Sequence, residues 1–472
     1  VNLSPIRVPS SPTGLVPPRR PTLLFLLLFV LLGPPVPGAH RGPAALVAQV
    51  PAASVERPRE ARARWERMAQ IRREKFDKIL PEAMRENGIE MWIVARREGY
   101  DDPLTPDLGG GYVSDVGYYV FTDRGGERIE RAALGITGYL LEEGGGYDLV
   151  TPEVELGRFV AERNPETIGV NTAESIGAAD GLTHTLYLRL QDELGEPYAS
   201  RLVSAEKLVS DFRARRVATE IAAFAEAGEM SREIAERAFS NEVITPGRTT
   251  LEQVAWWMME QLHRRNLGTS FGMPSVYVTG PEGIEATSDD RIIRRGDLLM
   301  LDWGVGFLNF HTDMKRIAYV LREGESEAPA GIRNAFEEGM RVRRILKDQI
   351  RPGRTARETF ELLVREIEEA GFHYLETFNE PTDEPVTDVI IGSHSVGNLG
   401  HGIGPSVAPF NPERISYEIV PSTLLAIELF AWTPAPEWGG AKVRIPLEDD
   451  AVVTERGVEW LYPANREILL IR

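Results

Sequence analysis

Cysteine is absent from this 472-residue sequence, so any metal or acid–base site must be built from Asp, Glu, His, Lys or Tyr. The apolar run Leu298–Leu301 ends at Asp302, and after Gly304 and Gly306 an alternating segment carries Asp313. An aspartate set into a β-rich apolar run is costly to bury unless a partner or a metal compensates it. Two such residues on neighbouring strands call for a cation. Taken alone, however, this stretch favours a plain hairpin whose aspartates sit in turns and face water. Later in the chain the pattern recurs with His401 in LGHGIGPS, Glu428 inside the apolar run Leu424–Phe430, and Glu448 in RIPLEDDAVV. Glu428 is the most informative of these, because an unpaired carboxylate on a buried strand carries a large penalty and demands a partner.

The elements that would position these residues form a repeat. After an amphipathic helix at 219–239 comes TPGRTTLEQVAWWMMEQL (245–262), and after a second helix at 332–350 comes RPGRTARETFELLVREIE (351–368). Both copies read Pro-Gly-Arg-Thr, whose threonine is the expected N-cap with glutamate three residues on, Thr249 with Glu252 and Thr355 with Glu358. That spacing is a capping box, in which each side chain satisfies an orphan N–H at the helix start. Turn, cap and preceding helix together argue for a duplicated unit. Related halves packed face to face would form a cleft at their seam, with Asp302 and Asp313 from one half and His401, Glu428 and Glu448 from the other.

Upstream, residues 54–212 read as a separate α/β domain. A charged helix with Trp65, Met68, Ile71, Phe76 and Ile79 at helical spacing ends near Asn87–Gly88. Strands follow at 90–95, 118–122, 129–134, 167–170 and 201–203, with a helix at 185–194. Nothing in that segment assembles a catalytic set. The glycine triplets at 109–111 and 144–146 lack the lysine and helix start of a phosphate loop. Residues 1–53 have the order of a secretory signal: Arg19 and Arg20, the apolar run Leu23–Leu32, then a Gly/Pro/Ala-rich zone with cleavage expected between Ala39 and Gln49. The apolar run is short against the roughly 20 residues of a membrane span. The expectation is therefore a secreted or periplasmic protein with no membrane span left after signal cleavage.

The 53 basic and 71 acidic side chains give a formal charge of −18, which disfavours nucleic acid or an anionic membrane surface as partner. A hydrophobic content of 42% is that of an ordinary globular protein.

With these residues in view, the chain resembles the pita-bread metallopeptidases, which include aminopeptidase P, prolidase, methionine aminopeptidase and the metal-free relative creatinase. The resemblance implies an α/β (α+β) architecture, with a creatinase-type N-terminal domain at 54–212 and a pseudo-two-fold pita-bread catalytic domain at 213–472. The family's five metal ligands fall, in order, on Asp302, Asp313, His401, Glu428 and Glu448, with the two aspartates eleven residues apart as in the family. The resemblance further implies two divalent metal ions, Mn²⁺ foremost with Co²⁺, Fe²⁺ or Zn²⁺ as alternatives, since four carboxylates and an imidazole make a hard, oxygen-rich site. Glu428 would then also act as general base, and dimerisation would run through the first domain.

Several positions depart from the family pattern. Its two non-ligand histidines correspond to Glu285 or Ala286 and to Ala408, the proline after the glutamate ligand is Leu429, and the arginine before the last ligand is Pro446. Loss of a proton shuttle removes roughly 10² to 10⁴ in rate unless it is replaced. Two histidines are candidates for that role. His311 precedes Asp313 by two residues and on a continuous strand would share its face, and His394 lies seven residues before His401. The leading expectation is a hydrolase of the bond before proline in short peptides. The alternatives are a creatinase-like hydrolase or lyase on a small molecule, and a catalytically silent peptide-binding relative.

Overall fold

The charged, helix-periodic opening folds as the helix Arg59–Lys78 and a second helix Leu80–Glu86, which is capped by Asn87 and followed by Gly88 in the left-handed region at φ 64°. This computed structural model describes residues 59–377, 381–397 and 402–472. The signal-like segment, His40 and His401 lie outside the described residues. No described helix is long and apolar enough to cross a membrane.

The first sheet has six strands in the order 149–151, 130–137, 112–122, 91–97, 168–170 and 202–204. Period-2 alternation buries both its faces. Trp92 and Val94 pack with Tyr119 and Phe121 on one side, while Met91, Ile93 and Ala95 pack with Tyr118 and Val120 on the other. The strand Tyr112–Thr122 begins six residues earlier than the expected 118, and its pairing shifts register between Val113 and Tyr118. That irregularity hides the first half of the strand from a search for strict alternation. Helix Glu206–Ala214 runs through the expected boundary at residue 212, and Pro58–Arg472 forms one compact unit.

Beyond residue 217 the chain builds two similar halves. The first has helices Ala218–Ala238 and Leu251–Arg264, then a five-stranded sheet (order 469–471, 314–320, 298–303, 275–280, 283–285) and a three-stranded one (310–311, 305–307, 268–269). The second has helices Ala330–Gln349 and Ala356–Glu369, then two four-stranded sheets (373–374, 388–391, 429–434, 442–447; and 394–395, 424–426, 450–454, 457–460). The Pro-Gly turns of the repeat match closely, with Gly247 at φ 80° and Gly353 at φ 85°. The second capping box is Thr355 with Glu358, as expected. The first is displaced by one residue: Thr250 caps the helix with Gln253, while Thr249 Oγ1 accepts from Thr245 N inside the turn. Glutamine serves a capping box as well as glutamate, so the TT doublet left the register open.

In each half, long strands leave one sheet and enter the other, and the backbone ladder is interrupted at each change. The interruptions fall at Gly304, Thr312–Asp313, Gly392–Ser393, Ile427–Glu428 and Glu448–Asp449. Gly304 is obligatory, because a Cβ there would lie 1.7 Å from the carbonyl oxygen of Thr312.

Candidate metal centre

Four of the five changes of sheet carry or adjoin a carboxylate or imidazole, and these converge at the seam between the halves. Asp302, near the end of strand Leu298–Trp303, faces Lys315 across the antiparallel pair with strand Met314–Val320. The seam is tied by the backbone, since Lys315 N donates to Glu448 O at 3.1 Å, and Asp313 N donates to the Asp450 carboxylate at 3.2 Å. Glu428 lies just outside the strands, in the two-residue gap before Leu429. Its N–H is satisfied by Ser393 Oγ at 3.1 Å, and Ser393 Oγ in turn donates to Glu428 O at 3.0 Å.

Asp313, His394 and Glu448 present ligand atoms that all lie within 4.8 Å of one another. His394 Nδ1 is 3.1 Å from Ser395 O, which fixes that nitrogen as the donor and turns Nε2 toward the carboxylates. Nε2 is 3.5 Å from Glu448 Oε1, 3.6 Å from Glu428 Oε2 and 3.9 Å from Asp313 Oδ2. These distances exceed good hydrogen bonds. Asp313 Oδ1 and Glu448 Oε1 are buried and have no hydrogen-bond partner among the described residues. Orphaned carboxylate oxygens at this depth carry a heavy desolvation cost. An imidazole nitrogen and one oxygen from each of these two carboxylates, all within 4.8 Å of one another, are a donor set that fits a hard divalent ion.

Electrostatics follow from the crowding. Burial, reinforced by Glu448 and Asp302, pushes the Asp313 carboxyl well above the usual carboxylate range. Burial and the neighbouring Glu448 raise Glu428 to about 7, against the opposing pull of Lys315 and His394. Glu448 moves the other way, because although burial opposes its ionisation, the Lys315 ammonium and His394 outweigh it. Behind the centre, Asp449 accepts from Arg316 at 2.8 Å, Arg343 at 3.0 Å and Asn465 N at 2.8 Å, anchoring the Glu448–Asp449 gap from the outside.

The structure thus brings together Asp302, Asp313, Glu428, Glu448 and His394. His311 is not in the metal-sharing group. It sits on the two-residue strand Phe310–His311 paired with Gly306 and Phe307, and that strand stops before Asp313. The same-face alternation expected from a continuous strand is therefore broken. The His311 ring lies over Gly306, with burial and then Arg213 lowering its pKa. At the expected positions of the family's absent histidines, Glu285 is on an exposed edge strand paired with Arg291 at 2.7 Å, Ala286 after it is exposed, and Ala408 is fully buried. Lys315, a central charge of the centre, was missed. The signal that flagged Glu428, a charge inside an apolar β-run, applies equally to Lys315 in MKRIAYV.

A cavity of about 190 Å³ opens onto the centre, lined by Tyr277, Asp302, Lys315, Phe430, Arg444 and Pro446 among others. Through Ile284 and Arg444 it adjoins a groove of about 810 Å³ whose walls include Pro281, Glu282, Trp432 and Lys442. Arg444 stacks 4.6 Å above Phe430 and 5.9 Å from Trp432.

Residues 222–455 match the model of metallopeptidase family M24. The chain is 22% identical over 350 residues to an Xaa-Pro dipeptidase of Pyrococcus furiosus, covering 70% of this chain and 89% of the relative. A second Xaa-Pro dipeptidase, from Pyrococcus horikoshii, is 26% identical over 249 residues, covering 51% of this chain and 61% of that one. Among solved structures, the X-Pro aminopeptidase of Thermotoga maritima superposes with a TM-score of 0.60 at 17% identity, covering 82% of this chain and 99% of that one. The prolidase of P. horikoshii gives 0.56 at 20%, covering 84% and 100%. The duplicated halves, the centre at their seam and these likenesses make residues 222–455 a divergent metallopeptidase family M24 domain with the pita-bread fold.

Proposed function

We propose that this protein is a metal-dependent peptidase that hydrolyses the bond before proline in short peptides. The observation that carries the reading is the Asp313–His394–Glu448 set with its two orphaned, buried carboxylate oxygens, whose neighbours Lys315 and Asp302 line a cavity that continues into an open groove. Membership of the family implies a divalent metal ion, and Mn²⁺ is the first candidate for this oxygen-rich donor set. When bound, such an ion supplies Lewis acidity and a more acidic water.

The remaining work falls to side chains of this chain. Glu428, raised to about 7 by burial and Glu448, is suited to take a proton from water as its oxygen attacks the scissile carbonyl carbon, and to return it to the amine nitrogen as the C–N bond breaks. Glu428 Oε1 is engaged by Lys315 at 2.6 Å, which leaves Oε2 as the proton-carrying atom. Tyr277 and Phe430 give the cavity the apolar walls a proline ring requires, and Arg444 offers positive charge for a peptide carboxylate.

A panel of Xaa-Pro and Xaa-Pro-Yaa peptides, assayed with Mn²⁺ and after chelation, tests the proposal. Turnover of Xaa-Pro peptides that is lost on chelation is expected. A second reading, a hydrolase of a small non-peptide amide, is favoured by the absence of histidine at Glu285 and Ala408. Turnover of creatine-like compounds with none of the peptides would select it. Export rests on residues 1–53 of the sequence, and N-terminal sequencing of the mature protein from culture medium or periplasm tests it.

A further inference from the structure

Lys315 Nζ lies 3.1 Å from Asp302 Oδ2, 2.6 Å from Glu428 Oε1 and 2.5 Å from Glu448 Oε2. An ammonium has three N–H donors and no lone pair, so three acceptors saturate it. The side chain is buried and held from both ends. Its backbone N–H is bonded to Glu448 O across the seam, and its Cα is paired with Asp302 across the sheet. Three carboxylates, one from the first half and two from the second, therefore already enclose a positive charge. A divalent ion on the same three oxygens would have to displace Nζ or lie against it, with like charges repelling where little water screens them. On the far side of Glu448 the situation is reversed. Glu448 Oε1 and Asp313 Oδ1 have no hydrogen-bond partner among the described residues, and His394 Nε2 is turned toward Glu448 Oε1 and the Asp313 carboxylate.

We propose that Lys315 is a built-in cation filling one of two cation positions, so that the centre takes a single divalent ion, held by Asp313, His394 and Glu448, in place of two. The inference rests on the metallopeptidase reading above and deepens it. The ammonium balances charge and holds Asp302, Glu428 and Glu448 in position. With its three protons committed, Lys315 is a positioning residue and donates nothing to substrate.

Metal content decides the matter. Full-length purified protein is stripped with chelator, reloaded with MnCl₂, desalted and analysed by mass spectrometry for Mn²⁺ per chain, with electron paramagnetic resonance on the same sample. One Mn²⁺ per chain with the six-line spectrum of an isolated ion is expected for the wild type, rising to two with a spin-coupled spectrum in Lys315→Ala. Two Mn²⁺ or a coupled spectrum in the wild type overturns the inference while leaving the metallopeptidase reading intact. A Lys315→Ala protein that folds but stays at one Mn²⁺ also overturns it. If that variant fails to fold, the wild-type count and spectrum decide alone. A wild type that binds no Mn²⁺ overturns the metal reading itself, and this inference with it.

Discussion

Glu428 and Gly392 meet in a way that makes two sharp predictions at the scale of single residues. A Cβ at Gly392 would sit 2.4 Å from Glu428 Oε2. Gly392→Ala should therefore displace the carboxylate and lower kcat by about 10²-fold, the cost of a misplacement near 1 Å, while unfolding midpoints move little. Glu428→Gln keeps the shape but removes the proton carrier, and kcat should fall roughly 10² to 10⁴-fold. Bound metal measured in the same samples should persist, since Glu428 is outside the Asp313–His394–Glu448 set. The residue scale is also where the sequence was most readable. Charges inside apolar runs singled out Asp302, Asp313, Glu428 and Glu448, which the structure gathers. Lys315 carries the same signature, yet a search confined to ligand types passes over a residue whose role is to be a cation. The direction of His311 was not legible for a different reason: side-chain direction depends on strand continuity, and the break before Asp313 has no marker in residue type.

At the scale of elements, the capping boxes convert a sequence pattern into a measurable energy. Thr250 Oγ1 accepts from Gln253 N at 3.2 Å, and Gln253 Oε1 accepts from Thr250 N at 3.1 Å. Thr250→Ala should cost about 1 kcal/mol in urea unfolding. The duplicated turn, cap and helix were legible because local chemistry writes them. The changes of sheet were not, because a strand that leaves one ladder for another keeps its apolar composition and shows only a glycine or a lone polar residue at the crossing. The shifted pairing in the strand Tyr112–Thr122 escaped for the same reason.

For the whole molecule, one buried acid far from the metal centre gives a pH signature. Asp102 is buried and accepts from Leu104 N at 2.8 Å and Asn171 Nδ2 at 2.9 Å, but burial outweighs these bonds and raises its pKa to about 6. The unfolded value is about 3.9, so between roughly pH 4 and 6 the folded state holds a proton that the unfolded state has lost. Stability from this group is complete below that window and is lost as pH rises through it. The unfolding free energy of wild type minus that of Asp102→Asn should fall by about 2 to 3 kcal/mol from pH 4 to pH 7.

The strand Leu469–Ile471 pairs in parallel with 318–320, the continuation of the segment that bears Asp313 and Lys315, and so closes the sheet on which the first half's carboxylates stand. During synthesis, then, a ribosome that has already released Glu448 still holds back an edge of that sheet. The sheet that carries Asp302 and Lys315 is thus completed by residues made after every residue of the donor set, so order at the centre lags behind the synthesis of that set. Nascent chains stalled before residue 469 should retain no Mn²⁺ on desalting, even though every residue of the donor set has been made.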